Sequence, residues 1–221
     1  MKKITQIITI IFFALFLNGC LDYEQITNLK IDGSGDMYIH YWMKANNYTD
    51  STIIAKVGIF NPDSIKNEYM SQHLNITNIE VYRDDNDSTI HAKVMFTFNR
   101  IDSLNSTKKF KDMNFIFKQV DKHVMLFSQY VPPFATGFGI KGQEFKIIYT
   151  YYIPGEVLSH NANERSNNRL TWTFSLDEIG TGKTISATFR PFKLKETPVV
   201  IYYAALFVIV VVVFYLLKKK K

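Results

Sequence analysis

Cys20 is the residue whose type and setting point most directly to a covalent reaction. It is the only cysteine among 221 residues, and it follows Leu17, Asn18 and Gly19 at the end of a short apolar run. A small residue directly before a lone cysteine at this place is typical of the lipobox of a bacterial export signal. We therefore predict that the Cys20 thiol takes a diacylglyceryl group and that cleavage makes Cys20 the first residue of the mature chain.

The segment before Cys20 has the composition of a signal peptide. Lys2 and Lys3 give a positive start, and an apolar run of 14 residues follows over 4–17. This run is shorter than the roughly 20 residues that a membrane span needs. We predict a lipoprotein signal peptide over residues 1–19. Because Asn18 is unusual within a lipobox, an ordinary signal cut elsewhere and an uncleaved anchor are the alternatives.

The C-terminal end carries a second predicted anchor, a transmembrane helix over residues 198–217. Val199 to Leu217 are 19 residues without a charge, and as a helix they would extend about 28 Å, close to the roughly 30 Å hydrocarbon core. The basic tail, residues 218–221, follows directly and is expected in the cytoplasm by the positive-inside rule. The body, residues 20–197, is then expected on the extracytoplasmic (periplasmic or outer) face of the cytoplasmic membrane.

The charge distribution argues against a nucleic-acid partner. The chain has a formal net charge of +6, and the lysines at the two ends account for all of it. The remaining 20 Lys and Arg residues, from Lys30 to Lys195, are balanced by all 20 Asp and Glu residues of the chain, which run from Asp22 to Glu196. Nucleic-acid binding requires a basic patch for the phosphates, which a neutral body does not indicate. A single cysteine also excludes an internal disulfide.

The body shows alternation of apolar and polar residues with period two, which is typical of half-buried antiparallel strands. The clearest segments are 90–98, 145–153, 170–176 and 185–189, and further strands are predicted near 37–43, 79–83, 115–120 and 123–131. Two helices are predicted between them. One begins after Asn61-Pro62, with residues 65, 69, 73 and 74 on one face, and a weaker one runs from Asp102 toward Phe110. We predict one α+β domain, a curved antiparallel sheet with one or two helices packed on its concave side.

Other patterns with possible chemistry lack the context that each requires. Residues 137–142 fit G-x-G-x-x-G, but a strand follows where a dinucleotide site needs a helix. The acidic run 84–87 lacks the glycine and the final glutamate of an EF-hand loop. The five histidines, at positions 40, 73, 91, 123 and 160, show no metal-ligand spacing. We therefore expect no catalytic residue, no cofactor and no metal, and we expect that the protein is not an enzyme.

The loop Val131–Gln143 combines glycines with three large apolar residues. Phe134, Phe138 and Ile140 could cover the core, contact the bilayer, or close a cavity as a lid. We predict the last arrangement, an apolar cavity that faces the membrane with this loop at its mouth.

The body resembles the LppM-domain lipoproteins. The matching residues are Gly19-Cys20, Asp22 and Tyr23, then Asp32–Gly35, and most specifically Pro154-Gly155-Glu156-Val157, Asn161 and Leu170-Thr171-Trp172. The resemblance implies a lipobox, an extracytoplasmic α+β domain and a C-terminal membrane helix. It also implies binding of lipid or another amphiphile at the cell envelope, without catalytic residues to carry over.

Three functional hypotheses follow for a membrane-anchored lipoprotein of this kind. The first is a module that binds lipid or another amphiphile, with the bilayer as its partner. The second is a non-catalytic scaffold or accessory subunit of an envelope protein complex. The third is a membrane-surface enzyme without a recognisable motif. A cavity would favour the first, and an exposed apolar patch on a filled core would favour the second.

Overall fold

The computed structural model describes residues 21–44, 58–133, 146–192 and 199–219. The predicted signal peptide, Cys20 and the predicted lid residues Phe134, Phe138 and Ile140 lie outside the described residues. The chain divides into two compact units, a body that ends at Pro191 and a C-terminal unit that begins at Phe192.

The described part of the body contains eleven strands in two sheets. The strands are β1 (Leu21–Leu29), β2 (Gly35–Lys44), β3 (Leu74–Asp84), β4 (Thr89–Phe98), β5 (Ile116–Asp121), β6 (Val124–Val131), β7 (Lys146–Tyr152), β8 (Gly155–His160), β9 (Glu164–Ser166), β10 (Arg169–Ser175) and β11 (Lys183–Pro191). The large sheet has the order β3-β4-β2-β1-β7-β10-β9, and the small sheet has the order β5-β6-β11-β8.

The α+β class is confirmed, but the predicted all-antiparallel sheet is wrong at its centre. β1 and β7 are parallel, with Tyr23 opposite Ile147, while the pairs β1–β2 and β7–β10 are antiparallel. Period-two alternation reports which face of a strand is buried and does not report the direction of its neighbour. The sequence pattern could therefore predict the strands without predicting this pairing.

The small sheet covers part of the large sheet, whereas the sequence predicted only helices there. Phe127 of β6 lies against Tyr151 of β7, with ring centroids 4.4 Å apart, and both side chains are fully buried. The predicted alternation of β4 is confirmed, since Ala92, Val94 and Phe96 point into this core. Face-to-face packing of two sheets thus supplies part of the interior.

Helix α1 (Pro62–Tyr69) covers another part of the core and begins as predicted. The Asn61 side chain accepts a hydrogen bond from the Ser64 N–H at 2.9 Å, and proline occupies the first turn. Ile65 and Tyr69 are buried. The helix ends at Tyr69, so the predicted continuation of its apolar face to residues 73 and 74 is wrong, because Leu74 already begins β3. The weaker helix is a 3₁₀ turn, Asp102–Ser106.

A second short helix, α2 (Leu176–Ile179), links β10 to β11 and begins with a capping box formed by Ser175 and Glu178. The C-terminal unit contains helix α3 (Val199–Lys219), which covers the range predicted to span the membrane. Its side chains are described for residues 201–212 and 215. Counting only the residues that the structure describes, no helix is long and apolar enough to cross a membrane.

Candidate binding surface on the outer face of the large sheet

Aromatic and histidine side chains gather on the face of the large sheet that points away from the small sheet. The register of β2 and β4 places Trp42 opposite His91, and β3 places Tyr82 opposite the same histidine. Because Ile39 and Tyr41 of β2 point into the core, the alternate residues of that strand face outward. We define the aromatic–histidine surface as Tyr38, His40, Trp42, Tyr82, His91 and Lys93.

The rings of this surface are in contact across three strands. The His91 ring lies parallel to the Tyr82 ring, with centroids 4.7 Å apart and an interplanar angle of 7°. The edge of the His91 ring meets the edge of the His40 ring, with centroids 5.2 Å apart, and His40 in turn lies 4.5 Å from Trp42. Cross-strand aromatic pairs of this kind stabilise a sheet, and they also hold the polar ring atoms in fixed positions.

A directional chain of hydrogen bonds sets the protonation of the two imidazoles. The Thr89 hydroxyl donates to the Asp87 carboxylate, so its oxygen can only accept from His91 Nε2, at 2.7 Å. With its proton on Nε2, His91 must accept through Nδ1 from His40 Nε2, at 3.0 Å. The tautomers follow from the network, because each nitrogen of a neutral imidazole either donates or accepts.

The environment keeps both imidazoles uncharged near neutral pH. Burial, followed by the charges of His91 and Lys93, lowers the pKa of His40 to about 4. Burial also lowers the pKa of His91, although the nearby Asp87 carboxylate opposes this shift. The positive charge of the surface is Lys93, whose Nζ lies 4.7 Å from the centroid of the Tyr82 ring and 3.9 Å from a Glu80 oxygen.

Inside the body, a chain of polar side chains bridges the two sheets. Gln25 donates to the Tyr151 hydroxyl at 2.8 Å, and that hydroxyl donates to Gln129 Oε1 at 2.5 Å. All three side chains are fully buried, and burial raises the pKa of Tyr151 well above its ordinary value. The sheets are therefore in direct contact at this point, which leaves no room there for an amphiphile.

The residues that carry the sequence resemblance have structural positions in the body. Asn161 accepts hydrogen bonds from Trp172 Nε1 at 2.9 Å and from the Ser186 N–H at 2.8 Å, so it joins β10 of the large sheet to β11 of the small one. A Cβ at Gly155 would lie 2.2 Å from the Arg190 carbonyl oxygen, so the close approach of β8 to β11 requires glycine there. Asn161 therefore joins the two sheets, and Gly155 permits the pairing of two strands within the small sheet.

The predicted lipid-attachment residue and the predicted lid fall outside the described residues, but the strands that follow them are described. β1 begins at Leu21, immediately after Cys20, and β7 begins at Lys146, after the predicted lid. Because β1 and β7 are parallel, both strands start at the same edge of the large sheet. The predictions for Cys20, Phe134, Phe138 and Ile140 stay predictions.

The aromatic–histidine surface was not predicted from the sequence. Its signal was the alternation of Tyr38, His40 and Trp42 along β2, but the partners on β3 and β4 cannot be read from one strand. The predicted absence of metal ligands stays untested: among the described residues, no group of three or more His, Cys, Asp or Glu side chains could hold a metal ion.

Comparison with known proteins finds a structural likeness to a solved domain. A scan against protein-family models matches none of them, and a search of the curated proteins finds no match. The folded domain of LppM from Mycobacterium tuberculosis, solved by NMR, matches with 14% identity and a TM-score of 0.48, over 81% of this chain and 95% of that domain. No activity, ligand or partner follows from a match at this level, and it does not test the lipobox or the terminal helix.

Proposed function

We propose that this protein is a non-catalytic module of the bacterial cell envelope, anchored through Cys20 and α3, which contacts membrane lipid through its aromatic–histidine surface. The observation that carries the proposal is that β1 begins at Leu21, with no linker after Cys20. A lipid on Cys20 would therefore hold the edge of the large sheet directly at the bilayer.

The distance from that edge to the aromatic side chains is short. Asp22 lies opposite Trp42 in the register of β1 and β2. Two residue rises from Cys20 to Asp22 amount to about 7 Å. The polar layer of one leaflet is about 5–8 Å thick, half the difference between the whole bilayer and its hydrocarbon core. With β1 directed away from the bilayer, the proposed anchoring would put Trp42 at the level of the lipid headgroups, where tryptophan and tyrosine are favoured.

The second anchor is supported by the sequence and by the exposure of α3. Val199 to Leu217 carry no charge, and a helix that is apolar all round requires an apolar environment. Its exposed large side chains are Ile201, Tyr202, Tyr203, Leu206, Phe207, Val208, Ile209, Val210, Val211, Val212 and Tyr215. An exposed apolar surface of this extent is typical of a membrane or protein contact.

The interior favours contact at the outer surface over binding in a cavity between the sheets. The Gln25–Tyr151–Gln129 chain bridges the sheets directly, so an amphiphile could not pass this point without breaking buried hydrogen bonds. Each buried partner left unsatisfied costs about 1–3 kcal/mol. The outer surface requires no such opening, because its residues are already half-exposed.

The two tryptophans of the chain provide the test. The full-length lipidated protein is reconstituted into vesicles whose phospholipids carry bromine near the glycerol end of the acyl chain, because bromine quenches tryptophan on contact. We expect quenching of Trp42 and none of Trp172, which is 1% exposed inside the body. The Trp42→Phe variant retains only Trp172 and should lose the quenched component.

Two further arms decide between the hypotheses. Bromine near the methyl end of the acyl chain should quench Trp42 less, because the residue is expected at headgroup depth. The Cys20→Ser variant, still retained by α3, should show weaker quenching of Trp42. Unquenched Trp42 in the lipidated protein would refute lipid contact and favour the scaffold hypothesis. Equal quenching in the Cys20→Ser variant would refute a role for the first anchor.

A further inference from the structure

We propose that His40 and His91 form a binding site for a divalent transition-metal ion of the class that prefers imidazole ligands, such as Zn²⁺. The site lies within the aromatic–histidine surface, on the adjacent strands β2 and β4. The proposal concerns these two side chains and does not depend on contact between the surface and lipid.

The separation of the two nitrogens is close to that of a metal-bound pair. His40 Nε2 and His91 Nδ1 lie 3.0 Å apart. Zn–N bonds are about 2.0–2.1 Å long, so two nitrogens of a tetrahedral site are about 3.3 Å apart. The two nitrogens now face each other along a hydrogen bond, so each ring would turn to direct its lone pair at an ion that lies beside the line between them.

The proton of that hydrogen bond can move to the other ring nitrogen of His40. His40 donates it from Nε2, and on binding the imidazole takes its other neutral tautomer, with the proton on Nδ1. Both nitrogens that face the ion then carry a lone pair, and the two histidines together lose no proton. Neutral imidazole is the form in which histidine binds a metal.

The Thr89–Asp87 pair holds the second ligand in the orientation that metal sites use. His91 donates its other ring proton to Thr89 Oγ1 at 2.7 Å, and Thr89 donates to the Asp87 carboxylate. Metal-bound histidines commonly donate their second N–H to an oxygen acceptor, which fixes the tautomer and raises the basicity of the ligand. This outer partner is therefore present before any ion arrives.

The charges around the pair act in both directions. Lys93 lies opposite His40 in the register of β2 and β4, and its ammonium group would repel a cation. Asp87 opposes that effect from the side of His91. No third His, Cys, Asp or Glu of the described residues joins the pair as a ligand, so the remaining coordination positions go to water or to a donor outside the chain.

The test is calorimetric titration of the untagged full-length protein in detergent, after removal of metal, with ZnCl₂ at pH 7.5. We expect one Zn²⁺ per chain. His40→Gln and His91→Gln should each weaken binding by more than 10-fold, because each removes one of two protein ligands. The matched control is His123→Asn, in a turn at φ 66° that asparagine tolerates, and it should bind as the unaltered chain does.

Two more variants test the surroundings of the pair. Thr89→Val removes the acceptor of the second His91 proton and should weaken Zn²⁺ binding by about 10-fold, the lower end of typical outer-ligand effects. Lys93→Met removes the nearby positive charge and should tighten binding. An adventitious ion held by the charge of the surface alone would respond to Lys93→Met but not to Thr89→Val, so unchanged binding in Thr89→Val would assign the ion to nonspecific attraction.

The proposal would be overturned by unchanged Zn²⁺ binding in both His40→Gln and His91→Gln, with native circular dichroism showing that each variant is folded. Equal loss in His123→Asn would also overturn it, since binding would then be spread over the histidines at large. Ca²⁺ prefers oxygen ligands, so competition by Ca²⁺ at equal concentration would assign the ion to the acidic turn 84–87 and overturn it as well.

Discussion

We expect Asn161→Ala to destabilise the body more than alanine substitution of any other exposed asparagine that the structure describes. The Asn161 side chain makes three hydrogen bonds: it accepts from Trp172 Nε1 at 2.9 Å and from the Ser186 N–H at 2.8 Å, and it donates to the Thr184 carbonyl at 2.7 Å. At about 0.5–1.5 kcal/mol net for each bond, the expected loss in the free energy of unfolding is about 3 kcal/mol.

The matched control is Asn163→Ala, two residues further along the same loop. Asn163 accepts one hydrogen bond, from the Thr173 N–H at 2.8 Å, so its expected loss is about 1 kcal/mol. For a domain of this size each kcal/mol lowers the thermal midpoint by about 2–4 °C. The two variants should therefore differ by about 4–8 °C.

The assay is differential scanning calorimetry of the full-length chain in detergent, with fluorescence as a second readout. Asn161→Ala should shift the emission of Trp172, because the buried indole N–H loses its acceptor, whereas Asn163→Ala should not. Asn161→Asp keeps an acceptor for Trp172 and should fall between the two alanine variants. Equal midpoints for Asn161→Ala and Asn163→Ala would refute the view that Asn161 joins the two sheets.

Two further predictions follow from the surface and from the sheet contacts. Because the pKa of His40 is lowered from 6.5 to about 4, the unfolded state binds more protons between these values, and stability should fall as pH falls through this window. In metal-free buffer His40→Gln should reduce this loss of stability between pH 6.5 and 4. The idea would be contradicted if denaturant titrations gave the same pH dependence of the free energy of unfolding for both proteins. Gly155→Ala should lower the free energy of unfolding by about 3 kcal/mol, since its Cβ would lie 2.2 Å from the Arg190 carbonyl oxygen. The neighbouring Glu156→Ala removes only an exposed ion pair with Arg190 and should change the free energy of unfolding by less than about 1 kcal/mol. Similar thermal midpoints for the two variants would disprove the steric argument.

Alternation and capping predicted the parts of the fold that are set by local physics. The buried face of β4 and the start of α1 after Asn61 follow from spacing and from one side-chain acceptor. β1 was harder to predict, because Gln25 and Thr27 are fully buried where the pattern calls for apolar residues. Gln25 bonds its neighbours Tyr23 and Thr27, but its partner on the next strand, Tyr151, is 126 residues away, so the local sequence does not show that these polar residues lie inside.

The candidate site could not be predicted from local sequence patterns for a similar reason. His40 and His91 are 51 residues apart, and only the pairing of β2 with β4 brings their rings together. Ligand motifs are recognised by short spacings along one element, which these histidines lack. Likewise, Gly155 begins β8, and glycine is required there because of the backbone of Arg190 on the neighbouring strand β11.

The parallel pairing of β1 with β7 also constrains the order in which the chain can fold as it is synthesised. Gln25 of β1 bonds Tyr151 of β7, 126 residues further along, so one edge of β1 stays unpaired until most of the body has emerged. At about 5–20 residues per second, that interval is about 6–25 s. An unpaired strand is prone to aggregate, and polar residues within it reduce that tendency. Gln25 and Thr27 thus make the unpaired β1 less prone to aggregate, and both side chains become buried once β7 pairs with β1.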